Sequence, residues 1–369
     1  MDKEKAVIIT EKCSNSENKI GLVLSGGSGK VFFHVGALDF LVKSGVASYV
    51  SYIVAVSAGA IVAAKYLESG IRQLKAAAMS NFKSPPFYLN KAGIAKHPLG
   101  GFKSLLNNQP LKKLIREINM ELVLKSSIQL DVIAVNFLTG KEIVFSNHTN
   151  RNALVIKEKA DFIRAIMPFD KKDSPLVVSQ DMFAEIIIAS TSLPGLFEPV
   201  KIYDIPIIDG GMVNPLPINH AINNDCNIII VIDSDPRDEP ITMEQYYKMN
   251  WSKILTRGFH FPSKTIGQIQ IERTNRINNK IKAIATLYEN LSKIVGENFV
   301  DSAKALFADI FEQFNFNPNG KMVDAVIVRP DKPTLISSSM EWSVKDIKEL
   351  IKKGSEAMEA ELKAAKLII

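Results

Sequence analysis

The chain has 369 residues, 46% of them hydrophobic and 23% charged, with a formal net charge of +6. That supply of apolar side chains builds one large α/β domain or two smaller ones, and with only two cysteines, Cys13 and Cys226, a disulfide framework and a cysteine-based zinc site are excluded. The mild basic excess fits a solvated surface or attraction to an anionic membrane; with no long Lys/Arg block and no nucleic-acid motif, nucleic acid is not an expected partner.

In chain order, residues 1–18 read as a polar N-terminal tail without the apolar stretch of a Sec-type signal. "KIGLVLSGG" (19–27) reads as a buried strand ending in a glycine turn, and "VFFHVGALDFLVKSGV" as a helix. "SYIVAVS" is a second strand and "AGAIVAAKYLESG" a second helix. "GGFKSLLNNQPLKKLIREIN" is expected to form a third helix, entered through Pro- and Gly-containing turns. "SIQLDVIAVNFLTGKEIVFSN" reads as two strands joined at Thr139-Gly140. "DMFAEIIIASTSLPGLFEPV" is a helix stopped near Pro194, and "VKIYDIPIIDGG" a strand pair turning at Asp204. "CNIIIVIDS" has the continuous apolar run of a central parallel strand. Residues 241–322 are helical and polar-rich, and are expected to form an insertion between a domain spanning 19–240 and its completion by 323–369. In that last part "VDAVIVRP" is a strand, followed by a long amphipathic helix. Strands alternating with helices imply a mostly parallel sheet covered on both faces. No apolar run approaches the length of a transmembrane helix, so membrane contact is expected to be peripheral.

Three segments carry candidate chemistry. "SGGSGK" (25–30) is a glycine-rich turn between a strand and a helix, open to three readings: a structural turn, a phosphate cradle or an oxyanion hole. It fits neither G-x-G-x-x-G nor a Walker A pattern. "AVSAG" (55–59) has the small-x-Ser-x-Gly form of a nucleophile elbow, in which a tight strand–helix turn exposes a hydroxyl. A helix N-cap serine is the plain alternative. "IIDGG" (207–211) places Asp209 at the end of an apolar strand before two glycines, where a carboxylate can accept a hydroxyl proton; an ordinary Asp-Gly turn reads the same way.

Taken together, these segments resemble the patatin-like phospholipase family, whose pattern looks like GGGx(R/K)G … GxSxG … DG(G/A). The likeness extends through "HVGAL", "LTGKEIVFSN" and "ASTSLPGLFEPVKIYDIPIIDGGMVNPLP". It covers most of residues 19–234 and, more weakly, 323–366. It implies a three-layer α/β/α fold with a mostly parallel central sheet. It implies Ser57 as nucleophile and Asp209 as base. Backbone amides of Gly26, Gly27, Ser28, Gly29 and Lys30, with Ala58, would form the oxyanion hole. Ala55, Gly59, Gly210 and Gly211 would permit the tight turns. Lys30 would fix the loop or favour an anionic headgroup. Ser28 and Val31 stand where the family has glycines, and Ala55 where the elbow has one. Ser28 is expected to strain the turn if its φ is positive.

The resemblance further implies hydrolysis of phospholipid or other acyl-ester lipids through an acyl-serine intermediate, with no metal and no cofactor. It leaves room for an activating protein partner, and for a cytoplasmic or membrane-peripheral location reached, in an exported protein, through a specialised secretion system. A Ser–His–Asp hydrolase is the competing mechanism. Of the five histidines, His34 reads as packed or capping and His220 as helix-surface, while His97, His148 and His260 sit in polar contexts. Two segments have lid-like composition: 81–101, and 297–316, where Phe299, Ala303, Leu306, Phe307, Ile310, Phe311 and Phe314 recur at helical spacing. The alternative function is a weak or inactive scaffold that binds lipid or protein.

Overall fold

The structure is a computed structural model, and it describes residues 7–81, 85–96, 103–147, 180–236, 240, 242–249, 251–295, 323–331 and 342–369. Its elements in chain order begin with a single turn α1 (Glu11–Ser14), strand β1 (Ile20–Leu24) and helix α2 (Phe32–Lys43), followed by β2 (Val50–Val56) and α3 (Ala58–Asn81). Then come β3 (Tyr88–Leu89), α4 (Lys91–Lys96), β4 (Leu106–Asn107), α5 (Gln109–Arg116) and α6 (Met120–Leu124). The hairpin β5 (Gln129–Asn136) and β6 (Lys141–Ser146) precedes α7 (Gln180–Ser190), β7 (Val200–Ile202) and β8 (Ile205–Asp209). The chain continues through α8 (Ile218–Asn223), β9 (Ile228–Ile232), α9 (Met243–Tyr247), α10 (Trp251–Val295), β10 (Asp324–Val328) and α11 (Val344–Ala364).

One sheet of eight strands organises the molecule, in the order β10-β9-β1-β2-β5-β8-β7, with β6 paired to β5. The five strands from β10 to β5 are mutually parallel, while β6 and β8 run against β5. Alternation along each strand divides the core into two faces. Leu22, Leu24, Ile53 and Ala55 point into the larger cluster, which also contains residues of α2, α3, α5, α7 and α11. Val23, Val54 and Val56 point into the smaller one with Ile218 of α8 and Ile271 of α10. The result is the expected three-layer α/β/α arrangement with a mostly parallel sheet.

Helix α11 opens with a capping box between Ser343 and Asp346. It then crosses α2 so closely that a Cβ at Gly36 or at Gly354 would strike the backbone of the other helix. This contact fixes α2, and with it the turn that leads into α2. Residues 7–18 lie against the same end of the chain: Ile9 bridges Ile368, Lys12 pairs with Asp324 at 2.9 Å and Cys13 is fully buried. The third helix predicted from the sequence is shorter than expected. Leu105 and Leu106 donate to the carbonyls of Gly195 and Leu196, β4 pairs with β3, and α5 starts only at Gln109 with Pro110 in its first turn. Helix α3 runs beyond its expected end, with a non-helical break at Gly70 (φ 75°, ψ 177°). Among the described residues, no helix is long and apolar enough to cross a membrane.

Candidate active site

The sheet brings Ser57 and Asp209 together through a shared strand edge. Strand β2 lies parallel to β5 and its pairing ends at Val56 opposite Ile133. Strand β8 lies antiparallel to β5 and ends at Asp209 opposite Ala134. Because β6 pairs with residues 131–136 of β5 and overlaps both partners, β2 and β8 occupy the same, opposite edge. They therefore meet end to end, and two residues 152 positions apart become neighbours. The Ser57 hydroxyl donates to Asp209 Oδ2 at 2.6 Å.

Each side chain is held by its backbone. Ser57 has φ 54°, a left-handed conformation uncommon for a non-glycine residue, as a sharp strand-to-helix turn requires. Its N–H donates to Ser190 Oγ at 2.9 Å, and the Ser190 hydroxyl donates to the Ile133 carbonyl at 2.6 Å. Ser190, fully buried at the end of α7, thus ties the turn to β5. Ala55 is fully buried in the core cluster, and Ala58 begins α3. Gly59 lies against the carbonyls of Leu24 and Ser25, leaving no room for a Cβ, and Gly210 lies equally close to the Ile133 carbonyl. Gly211 donates its N–H to Asp209 Oδ1 at 2.7 Å. Burial pushes the Asp209 carboxyl from 3.8 up to about 6, against the opposing pull of the Ser57 and Gly211 hydrogen bonds.

The glycine turn after β1 abuts the elbow. A Cβ at Gly26 would lie 2.9 Å from Ser57 Cβ. Gly27 has φ 136° and packs on the Ser234 hydroxyl, while Gly29 packs beneath the Trp342 ring. Ser28 has φ 50°, so the hydroxymethyl residue at this departure from the family pattern sits in the left-handed region where glycine is favoured. The turn is braced from behind. The Gly26 carbonyl accepts from the hydroxyls of Ser234 (2.7 Å) and Ser25 (3.0 Å), and Ser25 Oγ accepts the Ser234 N–H at 3.0 Å. His34 is fully buried with Nε2 3.3 Å from Ser25 Oγ, and burial lowers its pKa to about 3, so the ring is neutral. Lys30 is buried as well, its ammonium 2.5 Å from Asp235 Oδ1. Asp233 pairs with Arg329 at 2.8 Å, and burial beside Asp235 raises the Asp233 pKa.

Several of these partners carry no local signal in the sequence. Ser190, Ser234, Asp235 and Arg329 lie outside the three segments and meet the site only through the sheet order. His220 pairs with Glu142 at 2.6 Å, and Glu142 also accepts from Asn214 at 2.5 Å. Among the described residues, the side-chain hydrogen bonds of His34 and His220 go to Ser25 and Glu142, and those of Ser57 and Asp209 involve neither histidine. His97 and His148 lie outside the described residues, as do the side chain of His260 and the apolar set from Phe299 to Phe314. Of the other lid-like segment, Phe87 packs edge-on to Phe197, with ring centroids 5.7 Å apart. Among the described residues, no cluster of three or more His, Cys, Asp or Glu side chains could hold a metal ion.

Ser57 and Asp209 open into a cavity of ≈ 410 Å³. Its lining combines apolar side chains of α3 and α5 with Phe87, Leu196 and Phe197, and includes charged residues, Lys65, Glu117, Asp233, Asp235, Arg257, Lys264 and Arg329 among them. The fold defines a class, a three-layer α/β/α scaffold with a mostly parallel central sheet. Residues 22–222, more than half of the chain, match the patatin-like phospholipase family, and the chain belongs to that family. VipD from Legionella pneumophila is a similar solved structure, with 11% identity and a TM-score of 0.42 over 99% of this chain and 72% of that one. At that identity and TM-score the likeness carries no argument about function.

Proposed function

We propose that the protein is a lipid acyl hydrolase in which Ser57 is the nucleophile and Asp209 its general base. The observation that carries this reading is the 2.6 Å hydrogen bond from the Ser57 hydroxyl to a buried carboxylate. A carboxylate with a pKa near its usual value is a poor base for an alcohol. Burial raises that of Asp209 to about 6, bringing it closer to an operating pH near neutral while leaving it ionised there.

In the proposed reaction Asp209 accepts the Ser57 proton as Oγ bonds to the ester carbonyl carbon. Negative charge develops on the carbonyl oxygen and is received by backbone amides from Gly26 to Gly29 and of Ala58, at the start of α3; the Lys30 N–H, expected from the sequence to take part, is instead spent on the Gly27 carbonyl at 3.0 Å. The intermediate collapses, the alcohol leaves with the proton held by Asp209, and the acyl group stays on Ser57. Water then attacks the acyl-serine, Asp209 takes its proton, and Ser57 is restored as the fatty acid departs. Every step uses groups of this chain and water alone.

The substrate class follows from the apolar side chains of the cavity lining, which suit a fatty acyl chain. Peripheral contact with a lipid surface belongs to the same reading. The hairpin tips that project at the Ser57 end of the sheet leave Phe137, Leu138 and Tyr203 exposed. Residues 19–240 and 323–369 together form the catalytic domain in this reading, with 241–322 as its insertion. The test is release of fatty acid from a phospholipid by the wild type, Ser57→Ala and Asp209→Asn. The reading expects turnover in the first and loss of at least about a hundredfold in the other two; equal turnover in all three would leave an inactive scaffold as the better description.

A further inference from the structure

We propose that Ser234 is a positioning residue for ester hydrolysis. Its hydroxyl, together with that of Ser25, holds the Gly26 carbonyl on the β9 side of the glycine turn and so aims the Gly27 N–H at the oxyanion that forms beside Ser57. The inference rests on the proposed acyl-transfer role of Ser57 and Asp209.

Strand β1 lies between β9 and β2 in the sheet. The glycine turn after β1 therefore has Ser234, just past the end of β9, on one side and Ser57, which follows β2, on the other. Both neighbours touch it. A Cβ on Gly26 would come within 3.4 Å of Ser57 Oγ, and one on Gly27 within 2.1 Å of Ser234 Oγ. The peptide that joins Gly26 to Gly27 is planar and trans, so its C=O and N–H point in opposite directions. With the carbonyl drawn toward Ser234 at 2.7 Å, the N–H is turned to the β2 side, where the elbow stands. Among the described residues the Gly27 N–H has no backbone acceptor.

The backbone alone does not impose this orientation. Glycine on both sides of the peptide removes the Cβ atoms that would resist a flip of its plane. The following peptide is fixed by the chain itself, since the Gly27 carbonyl accepts the Lys30 N–H at 3.0 Å. The Gly26 carbonyl instead accepts from two side chains, Ser234 at 2.7 Å and Ser25 at 3.0 Å. Both serines are buried, so these bonds form away from bulk solvent. Ser25 is held in turn. Its Oγ accepts the Ser234 N–H at 3.0 Å and lies 3.3 Å from Nε2 of the His34 ring; its approach to Ser234 Oγ is longer, at 3.5 Å. An assignment that uses each donor once has the Nε2–H of His34 donate to Ser25 Oγ, which leaves the Ser25 proton for the Gly26 carbonyl. The buried Nδ1 of His34, which has no partner among the described residues, is then a bare acceptor. Removing the Ser234 hydroxyl leaves the Gly26 carbonyl with the longer of its two bonds, and removing both hydroxyls leaves the peptide plane free to swing.

The experiment separates oxyanion recognition from ground-state binding. An alkyl trifluoromethyl ketone is attacked by Ser57 Oγ: the O–C bond forms, the carbonyl electron pair moves onto oxygen, and Asp209 takes the hydroxyl proton. The ketone therefore needs the oxyanion donors, whereas dihexyl ether phosphatidylcholine has no carbonyl and does not. Inhibition constants for the ketone, calorimetric dissociation constants for the ether lipid, and kcat and KM for monomeric dihexanoyl phosphatidylcholine are measured on the full-length wild type, Ser234→Ala, Ser25→Ala, the double variant and Ser57→Ala. Ser234→Ala should lower kcat about tenfold and weaken the ketone by the same factor, with KM and ether-lipid affinity within about twofold of wild type. Ser25→Ala should act in the same direction, and the double variant should reach the loss of about 10²–10³ expected for a missing oxyanion donor. A single variant that also loses the ether lipid is misfolded, and the decision then passes to the other serine. Ketone binding unchanged in the folded single variants, or a loss that the ether lipid shares in both of them, would overturn the inference. Equal ketone affinity in wild type and Ser57→Ala would instead fail the acyl-transfer reading, and the inference with it, whatever the serine variants show.

Discussion

Replacing Asp209 with Asn should stabilise the protein while abolishing its activity, and the gain should depend on pH in a defined direction. The native carboxyl is raised from 3.8 to about 6 by burial. Below about pH 3.8 it is protonated in folded and unfolded chains alike and carries no penalty. Between there and about pH 6 the unfolded chain gives up its proton while the native one retains it, so stability falls as pH rises. Above about pH 6 the full penalty is in place. A shift of about two units corresponds to about 3 kcal/mol. At about pH 5 roughly half of that has accrued, so the difference between pH 5 and pH 8 is about 1.4 kcal/mol. Asparagine never ionises, keeps an acceptor for the Gly211 N–H and can donate to Ser57 Oγ. The assay is urea unfolding of the two proteins at both pH values. The advantage of Asp209→Asn over wild type should grow by about 1.4 kcal/mol from pH 5 to pH 8. An advantage that is equal at both values, or that shrinks, would refute the claim that this carboxylate is held ionised in an unfavourable site.

The same raised pKa predicts an acid limb in the rate: kcat/KM for a monomeric ester should fall by half near pH 6 and by about tenfold per unit below it, whereas a flat profile down to about pH 5 would remove Asp209 as the base. Gly27→Ala places a Cβ on the Ser234 hydroxyl at φ 136°, and should lower kcat by about 10²–10³ through displaced amides with KM little changed. Ser190→Ala leaves the Ser57 N–H and the Ile133 carbonyl without their buried partner; urea unfolding should show a loss of about 1–3 kcal/mol.

Much of the scaffold is legible in the chain because its central strands are continuous apolar runs. "GLVL", "YIVAV" and "IIIVI" are buried on both faces, and such strands cannot be confused with amphipathic surface elements. The hairpin turns also announce themselves, through Gly140 (φ 67°) and the Tyr203-Asp204 pair (φ 48° and 63°). The third helix is shorter than its sequence pattern predicts: Leu105 and Leu106 continue a helical apolar pattern, yet the backbone there is used for bonds to residues 195 and 196. The meeting of Ser57 and Asp209 was accessible only through resemblance. Nothing local in either segment says that two strands of opposite sense will end head to head on β5. Ser190, Asp235 and Arg329 were invisible for the same reason, since their partners are chosen by strand order. Lys30 illustrates the limit of motif reading: one residue type serves either as a headgroup contact or as a brace, and here its ammonium sits on Asp235 beneath the loop.

The central claim is that an acyl group passes through the Ser57 oxygen. Acid quenching of the wild-type protein during turnover of a phospholipid, followed by mass spectrometry of its peptides, tests this directly. The account predicts one fatty acyl adduct on the peptide containing Ser57, absent from Ser57→Ala, which also releases no fatty acid. Fatty acid released at the wild-type rate by Ser57→Ala, or an adduct carried by a different peptide, would contradict it.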